Sequence, residues 1–231
     1  MELNKAMHRL EELDSEMVLI GHIGSVLGWD QEMVPPAGVE ERARQTGWLE
    51  SQFHRILVSD ETGSLLHTLG ADESNPEGSP ELAQRQRALV RVLFTAWNRE
   101  RKLDEAFVTE FAETTSRAHG IWVEARKADD FSLYAPTLEH IVELVKEKAS
   151  RYGYVDDPYD PLIDRFEPGT TTAEVARVFA AMQADLIDVL EKLKDRPKPQ
   201  DSFLYQKYPQ DKLEAFSKEV LDAMGFDWQR G

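Results

Sequence analysis

Asp30 and Glu32 follow Trp29 in the stretch GWDQEMVPPAGVEERARQ, residues 28–45, and two carboxylates beside an aromatic ring are the residue types of a general acid–base couple. Two positions apart on a helix, though, they face different ways. No third convergent group accompanies them. The spacing therefore favours capping or salt-bridging around a helix end, with Trp29 in the core. A zinc site of the helical type needs His-Glu-x-x-His, two imidazoles one turn apart and a Glu as base. The histidines are His8, His22, His54, His67, His119 and His140; no two lie three to five residues apart, and none has a Glu three residues before it. His140 with Glu143 is the nearest approach to a ligand pair, and two groups on a polar helix face fall short of the three or four that a metal requires.

Other chemistries fail on spacing. Gly21-His22-Ile23-Gly24-Ser25 lacks the Gly-x-Ser-x-Gly order of a nucleophile elbow and has no strand before it. There is no glycine-rich phosphate loop. Asp156, Asp157, Asp160, Asp164 and Glu167 have the composition of a calcium loop, but Pro158 and Pro161 interrupt them and the ligands do not alternate, which favours turn and cap duty. Cysteine is absent, so thiolate nucleophiles, disulfides and Cys-based zinc sites are excluded together. The residues thus offer no catalytic group and no metal ligand, and they leave any substrate-groove residue unassigned.

The elements that would position a site are helices. Leu3, Met7, Leu10, Leu13, Met17, Ile20 and Leu27 step by threes and fours, which predicts a long first helix to about Leu27. Gly21, Gly24 and Gly28 weaken it and suggest close approach of another helix. Pro35-Pro36 predicts a break. A second helix is expected from about Gly38 to Val58, buried through Val39, Ala43, Trp48 or Leu49, Phe53 and Ile56 or Leu57. Residues 70–80, GADESNPEGSP, read as a flexible loop ending in a Ser79-Pro80 helix start. Leu82, Leu89, Leu93 and Ala96 then mark a third helix, and Leu103, Phe107, Phe111, Ala118 and Trp122 a fourth. A fifth runs from about Tyr134 to Tyr152 and stops at Gly153. After a loop with room for one helical turn, a Thr171/Glu174 capping box opens a sixth, and a last helix spans about Gln210 to Met224. No stretch alternates as a strand does. The expected fold is all-α, with six to eight helices.

A formal charge of −16 with no cluster of Lys and Arg speaks against nucleic-acid and anionic-membrane partners. The amino terminus lacks the basic-then-apolar order of a secretion signal. Apolar runs such as Met17 to Ile20 are far too short to span a bilayer. The expectation is a soluble, cytoplasmic protein.

Four stretches, taken in order, resemble the carboxypeptidase Taq family of zinc metallopeptidases. LGWDQEMVPPAGVEERARQ (27–45) is similar to the family's Trp-Asp-Gln-Glu, Met-Pro-Pro-Gly, Glu-x-Arg-Ala run, and SRAHGIWVEARKADDFSLYAPTLEHIVELVKEKA (116–149) to its Ser-x-Ala, Trp-x-x-Ala-Arg and Ala-Pro-x-Leu landmarks. GYVDDPYDPLIDRFEPGTTTAEV (153–175) and LDAMGFDWQRG (221–231) complete the set. Trp97, Asp104, Met33-Val34 and Asp157 depart from the family pattern, each locally.

The resemblance implies that residues 1–231 form a single helical region, the N-terminal half of a larger metallopeptidase domain about twice as long. It also implies that His-Pro-Phe, Asp-x-Arg-x-Thr and the zinc-binding His-Glu-x-x-His follow the Met224–Asp227 segment. No catalytic or metal residue of the family then falls on this chain, and the chain holds no cofactor of its own. Zinc and peptide substrates are expected of the complete enzyme, which the resemblance makes a homodimer. A half exposing apolar surface is expected to self-associate. A non-catalytic helical scaffold descended from such an enzyme is the alternative, and whether this chain is itself an enzyme stays open.

Overall fold

The computed structural model describes residues 2–33 and 38–229. Among these there are eight α-helices of nine residues or more, one four-residue α-helix, short 3-10 turns at Phe131–Leu133 and Ser202–Tyr205, and no strand. They are α1 (Glu2–Met33), α2 (Val39–Leu57), α3 (Asp60–Thr68), α4 (Gln84–Glu100), α5 (Glu105–Ala128), α6 (Ala135–Tyr152), the four-residue α7 (Asp160–Ile163), α8 (Thr172–Lys194) and α9 (Gln210–Ala223). Residues 1–175 and 176–231 group into two compact units. The expected Pro35-Pro36 break lies outside the described residues.

Local chemistry sets the helix ends. Asp104 caps α5, its Oδ1 accepting from the Phe107 N–H at 2.8 Å. Gly153 ends α6 at φ +81°, a left-handed angle that costs a glycine nothing. Ser59 Oγ accepts from the Thr62 N–H at 3.1 Å and so opens α3, a helix the periodicity did not reveal. The Ser79-Pro80 start is corrected. Ser79 Oγ accepts from the Glu81 N–H in a turn, and α4 begins five residues later at Gln84, where the Gln86 side chain accepts from the Ala83 N–H. Thr171 Oγ1 accepts from the Glu174 N–H at 3.3 Å, as a capping box requires.

In the first unit one core gathers Met7, Leu10 and Met17 of α1, Leu57 of α2, Leu66 of α3 and Val90, Leu93 and Phe94 of α4. Each fully buried Leu or Met contributes about 1.5–3 kcal/mol. A second core joins Leu103 and Phe107 to Leu144 and Tyr152 of α6. Within α2 the open alternatives resolve: Leu49 and Leu57 are buried, whereas Trp48 is exposed.

Between the cores, α2 and α5 run antiparallel at close range. Ala43, Gly47 and Ser51 on α2, four residues apart, meet Ala112, Ser116 and Gly120 on α5 at the same spacing. A Cβ at Gly47 would stand 2.7 Å from Glu113 Cγ, and one at Gly120 would stand 2.9 Å from Val39 Cγ2. These are the close approaches that glycine permits. The glycines of α1 do nothing of the kind, since a Cβ at Gly21, Gly24 or Gly28 would meet nothing within 4 Å. The expected helix contact there is thus corrected. Buried residues of α1 end at Met17, and beyond it Val18, Gly21, His22 and Ser25 line a cavity of about 860 Å³. Ile23 and Leu27 line a second one, of about 750 Å³, with Trp48 and Leu49.

In the second unit α9 ends at Gly225, with φ +79°, and the Phe226 N–H donates to the Leu221 carbonyl at 3.0 Å. Trp228 Nε1 donates to Asp222 Oδ1 at 2.6 Å, and the Phe226 and Trp228 rings meet edge-on.

Two predictions follow from this packing and capping. Gly120→Leu is expected to destabilise the fold by about 1–3 kcal/mol through overpacking. Gly24→Ala is expected to stabilise it by about 0.5–1 kcal/mol, as in any open helix interior; urea unfolding of both variants checks the pair. The second concerns acid. The Phe107 N–H and Arg151, whose guanidinium is 2.6 Å away, hold the Asp104 carboxyl below the usual range; Arg55 and Ser51 do the same for Glu105. A carboxyl lowered on folding contributes stability above about pH 4, and the contribution is lost as pH falls through the folded value. Melting temperature should therefore drop below about pH 4, and Asp104→Asn, which keeps a cap acceptor, should flatten that drop.

Candidate functional site

The Trp29–Glu32 stretch is helical, because α1 continues to Met33, beyond the end expected near Leu27. Successive helical residues turn by about 100°, so four neighbours reach four directions. Asp30 Oδ2 lies 2.9 Å from Arg42 Nε on α2. Gln31 Oε1 accepts from the Ser116 hydroxyl on α5 at 3.1 Å. Glu32 Oε1 sits 3.8 Å from His119 Nε2, one turn along α5. Trp29 points away and is 65% exposed, which corrects its expected place in the core: the three polar residues take the inward directions. The end of α1 is thereby clamped onto the α2–α5 pair.

The two acids are not an acid–base couple. They address different helices, as their spacing required. Asp30 faces the Arg42 guanidinium, a planar fork of donors with no acceptor atom. Arg42 is buried, and a desolvated cation is costly unless a carboxylate stands against it. Beside the clamp, Arg117 pairs with Glu40 at 2.9 Å and Glu113 at 2.8 Å, and these hydrogen bonds raise its pKa and keep it charged.

The other sequence candidates scatter. His140 faces Glu110 of α5 at 3.4 Å, while Glu143 turns to Lys146 at 3.7 Å, so His140 and Glu143 do not converge. In the acidic loop Asp157 accepts from the Tyr159 N–H, Asp160 from the Thr172 N–H and Asp164 from the Gly169 N–H, which is turn and cap duty. The Thr172 N–H holds the Asp160 carboxyl below the usual range. Ser25 Oγ donates to the Gly21 carbonyl at 3.0 Å, a bond along the helix and no nucleophile geometry. Among the described residues no three His, Cys, Asp or Glu side chains are placed to hold a metal ion, so a metallopeptidase centre does not fit the residues present.

Residues 9–231 match the family model described as carboxypeptidase Taq (M32) metallopeptidase. The chain belongs to that family. It is 34% identical over 210 residues to thermostable carboxypeptidase 1 of Pyrococcus furiosus, a span of 90% of this chain and 41% of that protein. It is 31% identical to thermostable carboxypeptidase 1 of Thermus thermophilus, over 98% of this chain and 46% of that one. Among solved structures, the BsuCP crystal structure superposes with a TM-score of 0.87 at 27% identity, covering 97% of this chain and 44% of that chain. The M32 carboxypeptidase of Deinococcus radiodurans superposes with a TM-score of 0.76 at 28% identity, over 98% and 44%. The chain thus spans less than half the length of these relatives.

Two of the stretches that carry the family resemblance meet at the clamp: 27–45 supplies Asp30, Gln31, Glu32 and Arg42, and 116–149 supplies Ser116 and His119. Arg42, Ser116 and His119 were not singled out from sequence, because a contact spanning 85 positions, as between Gln31 and Ser116, leaves no local pattern. Asp30→Asn is expected to cost about 1–3 kcal/mol by weakening a charge-assisted bond to the buried Arg42. Glu32→Gln, on a residue that is 68% exposed, should stay within about 0.5 kcal/mol. Urea unfolding of the two variants side by side checks the difference.

Proposed function

We propose that this chain is the N-terminal helical portion of a zinc-dependent metallocarboxypeptidase that releases C-terminal amino acids from peptides, and that it is inactive by itself. The observation that carries this reading is a family match over residues 9–231 in a chain spanning 41–46% of its carboxypeptidase relatives. The chain has no His-Glu-x-x-His sequence, and none of the described residues form a metal cluster. In this reading zinc is held by residues outside these 231, residues 1–231 are one region of a single catalytic domain, and the complete enzyme works in the cytoplasm as a homodimer. Zinc in such an enzyme polarises the scissile carbonyl and lowers the pKa of its bound water. This chain contributes the helical frame that the α2–α5 pair and its clamp hold rigid.

Val18, Leu19, Val26, Trp29 and Trp48 are all exposed, and apolar surface of this kind drives association. The isolated chain is accordingly proposed to self-associate. The second reading, a non-catalytic scaffold, draws on the two buried cores that this chain builds unaided.

One experiment separates the readings. The purified chain with added zinc should release no residues from a peptide ending in an apolar amino acid. Mixing it with the remaining portion of a family carboxypeptidase should restore metal-dependent release. Release by the chain alone would overturn the proposed inactivity, and no activity from the mixture would favour the scaffold. Sedimentation of the same sample should show species larger than the 26.4 kDa monomer.

A further inference from the structure

The apolar stripe of α8 lies open. None of the helix's 23 residues is buried, and the apolar side chains from Val178 to Leu193 are about half exposed or more. From Val175 the stripe advances by 3, 1, 3, 4, 3, 1 and 3 residues to Leu193. At about 100° per residue all of these positions fall within about 60° of one line along the helix, and Ile187 falls outside it. The order of steps is the same from either end.

A second copy of the helix, turned end for end, therefore presents a matching pattern. Val175 comes level with Leu193 of the second copy, Val178 with Leu190 and Met182 with Leu186. Apolar side chains then interdigitate along the whole seam, as in an antiparallel pair of helices.

Charge sets the direction. Glu174 and Lys192 are 18 residues apart, about five turns, and so share one edge of the stripe. End-for-end pairing places Glu174 of each copy beside Lys192 of the other, twice by symmetry, and such edge pairs fix helix orientation. A parallel pair would instead place Lys192 of one copy beside Lys194 of the other, where like charges repel. Lys192 already pairs with Asp188 along the helix, but these side chains are 69% and 61% exposed, and so open a pair leaves the ammonium able to turn to a second carboxylate. One like-charge contact opposes the antiparallel arrangement: Asp185 of the two copies lies on the same edge near the two-fold axis.

We propose that the occupant of this stripe is α8 of a second copy, packed antiparallel about a two-fold axis that passes between Met182 and Leu186. The self-association proposed above is thereby given a surface and a direction, and the pairing rests on it.

Cysteine is absent from the chain, so single-cysteine variants report on the seam without background. Val178→Cys and Leu190→Cys fall at exposed positions where the fold tolerates them. Mixed and oxidised, the two variants should form a 178–190 disulfide, identified by peptide mass. Neither should crosslink alone, because equal positions stand 12 residues, about 18 Å, apart along the seam and a disulfide needs Cα atoms within about 7 Å. In sedimentation Lys192→Glu should weaken the dimer about three- to tenfold, adding Glu174→Lys should restore it, and Asp185→Asn should tighten it about twofold. A 178–178 or 190–190 disulfide, a dimer without the mixed disulfide, or charge variants that leave association unmoved overturns the pairing while self-association stands. A monomer at every concentration overturns both. Protection of α8 from amide exchange only after the remaining portion of a family carboxypeptidase is added assigns the stripe to that portion and likewise overturns the pairing.

Discussion

Two rows of small side chains set how closely α2 and α5 approach, and the rest of the first unit is placed by that spacing. Ala43, Gly47 and Ser51 on one helix and Ala112, Ser116 and Gly120 on the other let two backbones approach until Val39 and Glu113 fill the space that a Cβ would take. Little apolar area is buried by residues this small. The gain comes from many close dispersion contacts, each worth only about 0.1–0.2 kcal/mol. The larger hydrophobic term resides elsewhere, in the core shared by α1, α3 and α4. What the seam fixes is distance and direction: with α2 and α5 in register, Arg42 and Ser116 present themselves to one incoming helix end. A side chain of ordinary size at Gly120 would move both partners of that clamp.

The clamp also explains why a stretch with the residue types of catalysis does structural duty. A carboxylate 2.9 Å from a buried guanidinium has its charge matched and its orientation fixed. It gains no proton acceptor by this. The same polar residues that would make a general base in an open groove here compensate the burial of Arg42. The family resemblance in residues 27–45 and 116–149 therefore tracks a joint between helices.

Much of this was legible in the sequence, and the failures have physical causes. Periodicity located the long helices, since burial of one face leaves a trace every three or four residues, and Gly153 and Gly225 marked their ends correctly. Periodicity missed α3, whose nine residues give too short a stripe, although Ser59 followed by Thr62 carried the cap signal. It placed Trp29 inside because an aromatic residue is apolar, whereas the neighbouring polar residues had claims on the inward directions. The seam was written at four-residue spacing in small residues, a pattern easily passed over when only large apolar side chains are counted.

Among the described residues the buried side chains of α1 end at Met17, and Asp30, Gln31 and Glu32 tie its far end to α2 and α5. Between these supports it is a thin partition with a hollow on either flank, and three glycines strip it of bulk. The hollow on the Gly21 side and the one beside Trp48 are thus two compartments with a wall one helix thick between them.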